Sequence, residues 1–207
     1  MCDKQRNISL GFTDESFKEG IHVCQIFDDD DERAAALEAF LLSGLQDGEK
    51  TSCFSEKVDM DQLKTFFNKN NVSLDDATQK GDFSLSGTRN VYFKNNKFEP
   101  EKMLALLEDY YETAKSEGYP GSRVIGEMTS EVQDMEGGSR LMEYEAKVSL
   151  LVEKHPLTAV CQYDAKSFDG ATILDILKVH PYMVLHGKVI RNPFFIQPRE
   201  VLKDLNC

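Results

Sequence analysis

The sequence lacks any run of apolar residues long enough to span a bilayer, and its amino terminus does not combine the basic and apolar stretches of a signal peptide. It also lacks a Cys-x-x-Cys pair, because its five cysteines are widely spaced and odd in number. These absences argue against a membrane segment, a disulfide framework and a standard zinc site. We therefore expect a cytoplasmic protein without membrane contact, whose cysteines are reduced and unpaired.

The sequence has fewer basic than acidic residues. The chain has 24 Lys and Arg against 36 Asp and Glu, for a net charge of −12. Acidic surfaces repel phosphate backbones, so nucleic acid is not an expected direct partner. No linker-like composition interrupts the 207 residues. We expect a single domain over residues 21–207, preceded by an extension over residues 1–20 that has no clear periodicity.

A glycine-rich phosphate-binding loop between a strand and a helix is also missing. The only candidate letters, Gly44 to Thr51, have the wrong spacing and lie between a helix and a strand. After Phe27, where such a loop belongs, residues 28–31 are four consecutive aspartates. Carboxylates at that position oppose an anion at a helix amino terminus, so we predict no useful ATP binding.

Short runs rich in β-branched and aromatic residues alternate with amphipathic runs. The predicted strands cover residues 21–27, 49–56, 83–86, 123–128 and 158–164, with a last strand or hairpin over 182–190 around His186 and Gly187. The predicted helices cover residues 28–45, 59–70, 100–117, 140–153 and 171–179, and residues 92–96 are predicted to be an exposed turn. This alternation predicts an α/β fold with a mostly parallel sheet.

Three candidate ligand-binding residues fall at the carboxyl ends of predicted strands, where open parallel sheets bind ligands. Glu127 ends an apolar strand, and Phe27 and Tyr163 would give an apolar lining. The alternative interpretation is that Glu127 is a helix cap or ion-pair partner and that both aromatic residues belong to the core. We expect the ligand site at this edge of the sheet.

A second candidate set consists of His22, Cys24, Cys161 and His180. His22 and Cys24 share one face of their strand, and the four side chains are soft metal ligands. No single segment has metal-site spacing, so we favour the interpretation that the cysteines are core residues and the histidines are satisfied structurally. The sequence therefore predicts no metal or cofactor. Cys161 has no recognisable nucleophile motif.

The two histidines are expected at the opposite edge from Phe27, Glu127 and Tyr163. His22 opens its strand and His180 precedes its own, so both lie at strand beginnings if those strands run parallel.

Several short motifs, in order and with their spacing, resemble the MEDS domain, a sensory domain of methanogens and methylotrophs found in DcmR-type regulators. The motifs are His22-Val-Cys24-Gln-Ile-Phe27, Phe40 with Gly44-Leu45 and Gly48-Glu49, Gly126-Glu127-Met128-Thr129, Arg140-Leu141, Tyr144-Glu145-Ala146, Cys161-Gln-Tyr163-Asp164, His180-Pro181 and Asn192-Pro193-Phe194-Phe195. They span about residues 20–196. Ser130 departs from the pattern, which has an aromatic residue after the threonine.

This resemblance implies a three-layer, RecA-like or Rossmann-like fold with helices on both faces of the sheet, derived from an ATPase core that has lost its phosphate loop. It also implies that the chain senses small organic molecules such as simple hydrocarbon derivatives. Both histidines belong to the family pattern, so His22, Cys24 and His180 stay in the ligand-binding set beside Phe27, Glu127 and Tyr163.

We therefore predict a sensory module that is not an enzyme and that signals to a separate histidine kinase or transcription regulator; a homodimer is compatible with this role. The alternative is a metal- or cofactor-binding enzyme or redox sensor that uses His22, Cys24, Cys161 and His180. A third interpretation is a structural remnant of the ATPase fold that works through protein contacts.

Overall fold

The computed structural model describes residues 6–93, 96–185 and 187–205. The strands are β1 (Asn7–Ser9), β2 (Ser16–Lys18), β3 (His22–Phe27), β4 (Lys50–Phe54), β5 (Phe83–Ser86), β6 (Ser122–Met128), β7 (Leu157–Asp164), β8 (Tyr182–Leu185) and β9 (Lys188–Arg191). The helices are α1 (Asp30–Gln46), α2 (Met60–Lys69), α3 (Leu74–Lys80), α4 (Thr88–Tyr92), α5 (Pro100–Ser116), α6 (Leu141–Lys154), α7 (Gly170–Val179) and α8 (Pro198–Asp204). Among the described residues, no helix has the length and apolar character needed to cross a membrane.

One sheet organises the molecule. In the part of the chain that the structure describes, it has seven strands in the order β5-β4-β6-β7-β3-β8-β9. Neighbouring strands run parallel, except that β8 and β9 pair as an antiparallel hairpin. Parallel neighbours need crossover connections, and helices supply them here on both faces of the sheet. The predicted α/β fold with a mostly parallel sheet is confirmed.

The two faces of the sheet carry separate halves of the core. Helices α5, α6 and α7 pack on one face, which we call the α6 face, and helices α1, α2 and α3 pack on the other, which we call the α1 face. Side chains alternate between the faces along each strand. Cys24 and Ile26 therefore lie on the α6 face, while Val23 between them lies on the α1 face.

Residues 7–18 contain the antiparallel hairpin of β1 and β2. Ile8 and Leu10 are buried together with residues of α1, and the Arg123 guanidinium donates a hydrogen bond to the Ser9 carbonyl at 3.1 Å. Over its described residues, the predicted amino-terminal extension is thus packed against the sheet. Residues 1–5 lie outside the described residues.

The structure corrects the exposed turn that the sequence predicts at residues 92–96. Tyr92 ends α4, and both Tyr92 and Phe93 are buried. The physical reason is aromatic packing, because the Tyr92 ring meets Phe54 and Tyr144 edge-on at centroid distances of 6.1 and 6.3 Å. Residues 94 and 95 of the predicted turn lie outside the described residues, as does His186 of the predicted hairpin.

Helices α3, α4 and α8 are also absent from the sequence prediction. They have seven, five and seven residues, which is too short for an apolar stripe of helical period to stand out. The longer helices α1, α2, α5, α6 and α7 begin and end close to their predicted bounds.

Candidate functional site

A cluster of polar side chains is buried on the α6 face of the sheet. We call it the histidine cluster, and its members are His22, Glu145, Cys161, Tyr163 and His180. Strand β3 supplies the first histidine, α6 the glutamate, β7 the cysteine and the tyrosine, and the end of α7 the second histidine. The two residues from β7 are two positions apart, so the alternation of the strand sends both toward α6.

Glu145 is the centre of this cluster. One carboxylate oxygen, Oε2, lies 3.3 Å from His22 Nε2, 3.5 Å from His180 Nε2 and 3.7 Å from the Cys161 sulfur. The other oxygen, Oε1, accepts a hydrogen bond of 2.5 Å from the Tyr163 hydroxyl. His22 Nε2 is also 3.3 Å from the Cys161 sulfur. Four side chains therefore converge on one carboxylate.

The cluster is closed to solvent. His22, Glu145, Tyr163 and His180 each have no exposed surface. Cys161 is partly exposed as a residue, although its thiol lies inside the cluster. Such a concentration of polar groups in a core is unusual, because burying a polar group is unfavourable unless it is well hydrogen-bonded.

Hydrogen bonds outside the cluster determine the tautomers of both histidines. The His180 Nδ1–H donates to the Ile176 carbonyl at 2.7 Å, since a carbonyl can only accept. The Ser149 hydroxyl donates to the Val179 carbonyl at 2.9 Å and so accepts from His22 Nδ1–H at 2.9 Å. When neutral, both imidazoles therefore present a bare Nε2 lone pair to the cluster. His180 Nε2 has no hydrogen-bond partner there.

The electrostatics of the cluster follow from burial. Burial, followed by the neighbouring His180, lowers the pKa of His22 to about 4, so this imidazole is neutral at pH 7. Burial raises the pKa of the Cys161 thiol well above its usual range, and Glu145 adds to the shift. A protonated, buried thiol is a poor nucleophile, which argues against thiol catalysis by Cys161.

The predicted grouping of site residues differs from the observed one. Tyr163 was expected beside Phe27 and Glu127, away from the histidines, but its ring lies 5.8 Å from that of His180. The position of a residue along a strand indicates the edge of the sheet near which it lies, whereas the alternation of side chains along the strand determines which face it points to. Tyr163 lies two positions after Cys161 and so points to the α6 face, where its long side chain reaches back to Glu145. Cys24 is level with Cys161 in the register of the parallel strands but is not one of the converging groups.

Phe27 and Glu127 belong to a second group, at the carboxyl ends of the strands on the α1 face. We call it the edge group, and it consists of Phe27, Arg33, Ser55, Lys57 and Glu127. The Lys57 ammonium is 2.7 Å from Glu127 Oε1, and the Ser55 hydroxyl donates to Glu127 Oε2 at 3.0 Å. The Phe27 ring is flanked by the Lys57 and Arg33 cations at 5.4 and 5.9 Å from its centroid. The negative charge of Glu127 is therefore compensated within the edge group, by the Lys57 ammonium.

The start of α1 lies close to the edge group and agrees with the absence of a phosphate loop. Only Asp28 and Asp29 separate β3 from α1. The Asp29 side chain caps the helix by accepting from the backbone N–H groups of Asp31 and Glu32. A carboxylate thus occupies donors that a phosphate would need.

Sequence reasoning did not assign Glu145 of the cluster, nor Ser149, which hydrogen-bonds His22 from outside the cluster. A signal was present, because Leu141, Glu145, Val148 and Val152 recur at three- and four-residue spacing. That spacing places a carboxylate within the apolar stripe of α6. A charged residue on such a stripe is rarely buried without a specific partner.

Comparison with known proteins gives one family and one fold. A family model described as the MEthanogen/methylotroph, DcmR Sensory domain (MEDS) matches residues 21–181. Comparison with the curated proteins finds no match.

Two archaeal structures illustrate the fold. The flagellar accessory protein FlaH from Methanocaldococcus jannaschii has a TM-score of 0.64 at 11% identity, over 90% of this chain and 84% of that chain. A KaiC-like protein from Pyrococcus horikoshii has a TM-score of 0.60 at 12% identity, over 87% and 80% of the two chains. At such identities the likeness concerns the fold alone, and it confirms the expected RecA/KaiC-like architecture.

Proposed function

This chain belongs to the MEDS family of sensory domains, and we propose that it senses a small, weakly polar organic molecule through the histidine cluster and signals to a separate effector. The family match supports a sensory role. The ligand class, the site and the effector are our proposal. Simple hydrocarbon derivatives are the ligand class, and a histidine kinase or transcription regulator is the effector.

The observation that carries this proposal is the unsatisfied polarity of the cluster. His180 Nε2 is fully buried and has no hydrogen-bond partner, and a buried polar atom left in this state costs about 1–3 kcal/mol. The Glu145 carboxylate has imidazole and thiol neighbours in place of a fixed cation. A site that is incomplete without a ligand gains the most from binding one.

The surroundings of the cluster favour a small, weakly polar ligand. The Tyr163 ring packs edge-on against Phe168 at 5.7 Å, and Tyr144 and Tyr92, which pack against each other, belong to the same core. Binding sites for small molecules commonly combine such apolar walls with a few converging polar groups. The edge group is less suited to binding such a ligand, because the Lys57 ammonium already compensates the charge of Glu127.

The position of His180 offers a route for signal output. This residue lies between α7 and β8, and the Asn192 side-chain amide donates to the His180 carbonyl at 2.8 Å and to the Leu177 carbonyl. A ligand that shifts the His180 imidazole would therefore also act on the segment that follows β9. A ligand changes the conformation of a protein only by its differential affinity for two states.

Ligand-induced thermal stabilisation tests the proposal. A panel of short alcohols, haloalkanes and alkyl thiols is added to the purified chain and the melting temperature is recorded. We expect saturable stabilisation by at least one class, about 2.7 kcal/mol at a ligand concentration 100 times its Kd. The shift should be lost in Glu145→Gln and reduced in Tyr163→Phe.

Glu127→Gln is the matched control, because it neutralises a buried glutamate on the opposite face of the sheet. It should keep the full ligand shift. A shift lost only in Glu127→Gln would place the ligand in the edge group with Phe27. A panel without any effect on the wild-type chain would instead favour the structural-remnant interpretation.

A further inference from the structure

The geometry points to a metal site in the histidine cluster: we infer that it binds one divalent transition-metal ion of the zinc type. The four donors are His22 Nε2, His180 Nε2, Glu145 Oε2 and the Cys161 sulfur, which all lie within 4.8 Å of one another. The inference rests on the proposed function, in which this cluster is the sensing site, and it names the ion through which that site works.

The first argument is the spacing of the donors. Metal–nitrogen and metal–oxygen distances of about 2.0–2.1 Å and metal–sulfur distances of about 2.3 Å give a tetrahedron with edges of roughly 3.3–3.6 Å. The measured separations are 3.3 Å from His22 Nε2 to both Glu145 Oε2 and the Cys161 sulfur. Glu145 Oε2 is 3.5 Å from His180 Nε2 and 3.7 Å from the sulfur. Four of the six donor separations therefore match a tetrahedral site, and the two others, both made by His180 Nε2, lie within 4.8 Å.

The second argument is the direction of the lone pairs. Because Ile176 and Ser149 hold the Nδ1–H of each histidine, each imidazole in its neutral form aims a bare Nε2 at Glu145 Oε2. Lone pairs that face a carboxylate repel it in a medium of low dielectric constant. A cation between these donors turns the repulsion into coordination and satisfies His180 Nε2, which otherwise has no hydrogen-bond partner.

The third argument is charge. A divalent ion bound by one carboxylate and one thiolate, with two neutral imidazoles, has a net charge of zero. A neutral unit suits residues that have no exposed surface. Coordination of the ion deprotonates the thiol, which burial otherwise keeps protonated.

The donor set also selects the ion. Imidazole and thiolate groups favour zinc, cobalt, iron or copper over magnesium and calcium, which prefer oxygen ligands. Neighbouring groups also hold the donors in place: Ile176 and Ser149 orient the imidazoles, and the Tyr163 hydroxyl holds Glu145 Oε1 so that Oε2 turns inward. Hydrogen bonds of this kind orient metal ligands and tune their basicity.

Cobalt titration tests the inference. The purified 207-residue chain is reduced, treated with a chelator, exchanged into metal-free buffer and titrated with Co²⁺ under an inert atmosphere. We expect one Co²⁺ per chain, visible absorption of tetrahedral cobalt and a near-ultraviolet thiolate-to-cobalt band. Added Zn²⁺ should displace the cobalt and raise the melting temperature.

Variants identify the donors. Cys161→Ser should remove the thiolate-to-cobalt band, and His180→Ala should weaken Co²⁺ binding by at least about 10-fold. His155→Ala is the matched histidine control, because His155 pairs with Glu108 and Glu112 away from the cluster. Cys53→Ser is the matched thiol control on the α1 face. Both controls should bind cobalt as the wild type does, and far-ultraviolet circular dichroism checks the folding of every variant.

Two results would overturn the metal site: no saturable Co²⁺ or Zn²⁺ binding by the wild-type chain, or a thiolate band that persists in Cys161→Ser. Its failure is distinguishable from failure of the proposed function. If the metal-free chain binds no metal but still gains stability from an organic ligand through Glu145, the metal site falls and the function stands. If the chain binds metal at these donors but no organic ligand changes its stability, the metal site stands and the proposed function fails.

Discussion

Two buried glutamates on opposite faces of the sheet, Glu127 and Glu145, have different partners. Glu127 on the α1 face meets the Lys57 ammonium, at 2.7 Å from its Oε1. Glu145 on the α6 face meets two imidazoles, a thiol and a phenol, whose charge depends on protonation or on a bound ion. In our proposal, the first carboxylate serves structure and the second responds to a ligand.

A third buried glutamate follows the pattern of Glu127. Glu49 lies between the Arg6 and Arg123 guanidinium groups near the amino ends of the strands. Arg123 has no exposed surface and also donates to the carbonyls of Ser9 and Phe40, each at 3.1 Å. Fixed cations thus compensate the buried carboxylates outside the histidine cluster in these two places.

The largest expected effect comes from breaking the Glu49 pair. Arg123→Met leaves Glu49 buried with Arg6 as its remaining partner and removes the donor of the Ser9 and Phe40 carbonyls. We expect the free energy of unfolding to fall by about 3–5 kcal/mol, measured by urea denaturation. Lys178→Met, which breaks the exposed pair with Asp175, is the control and should cost less than about 1 kcal/mol. Equal losses in both variants would contradict a structural role for the buried pair.

A smaller effect is expected at the edge group. Lys57→Met should lower the free energy of unfolding by about 1–3 kcal/mol, because Glu127 is left buried without its cation. The double variant Lys57→Met with Glu127→Gln should recover part of this loss, since no unpaired charge remains. Urea denaturation of both variants measures the difference. A double variant less stable than Lys57→Met alone would show that Glu127 has another stabilising partner.

The cysteines allow a comparison of the two faces in which little difference is expected. Burial raises the pKa of both Cys24 on the α6 face and Cys53 on the α1 face to about 12. In metal-free native protein both should therefore react with an alkylating agent far more slowly than a free thiol, and at similar rates. Mass spectrometry of time-resolved labelling measures this.

Under denaturing conditions without reductant all five cysteines should titrate as free thiols; a missing pair would indicate a disulfide.

ATP should have no effect. Asp29 occupies the amino terminus of α1, and the link from β3 consists of two aspartates. Isothermal calorimetry with magnesium and ATP should show no saturable heat with the wild-type chain. Clear saturation would contradict the prediction and indicate a nucleotide site at the start of α1.

Much of the fold could be predicted from local pattern. The strands of the main sheet and the longer helices follow from apolar runs and helical periodicity, which are properties of neighbouring residues. The prediction failed at Tyr92, where burial depends on contacts with Phe54 and Tyr144 from distant parts of the chain. It also omitted the short strands β1 and β2 and the helices α3, α4 and α8, whose length of three residues for each strand and five to seven for each helix leaves packing rather than periodicity to stabilise them.

The sequence by itself determined the family, the α/β class and the run of aspartates at the start of α1, because each is a matter of local residue type and order. Only the tertiary structure decided that His22, Glu145, Cys161, Tyr163 and His180 meet. These residues come from β3, α6, β7 and the end of α7, which are distant along the chain. Their convergence depends on the strand order that places β3 beside β7 and on the packing of α6 across both strands. No local pattern contains that arrangement, because it arises from long-range packing of the core.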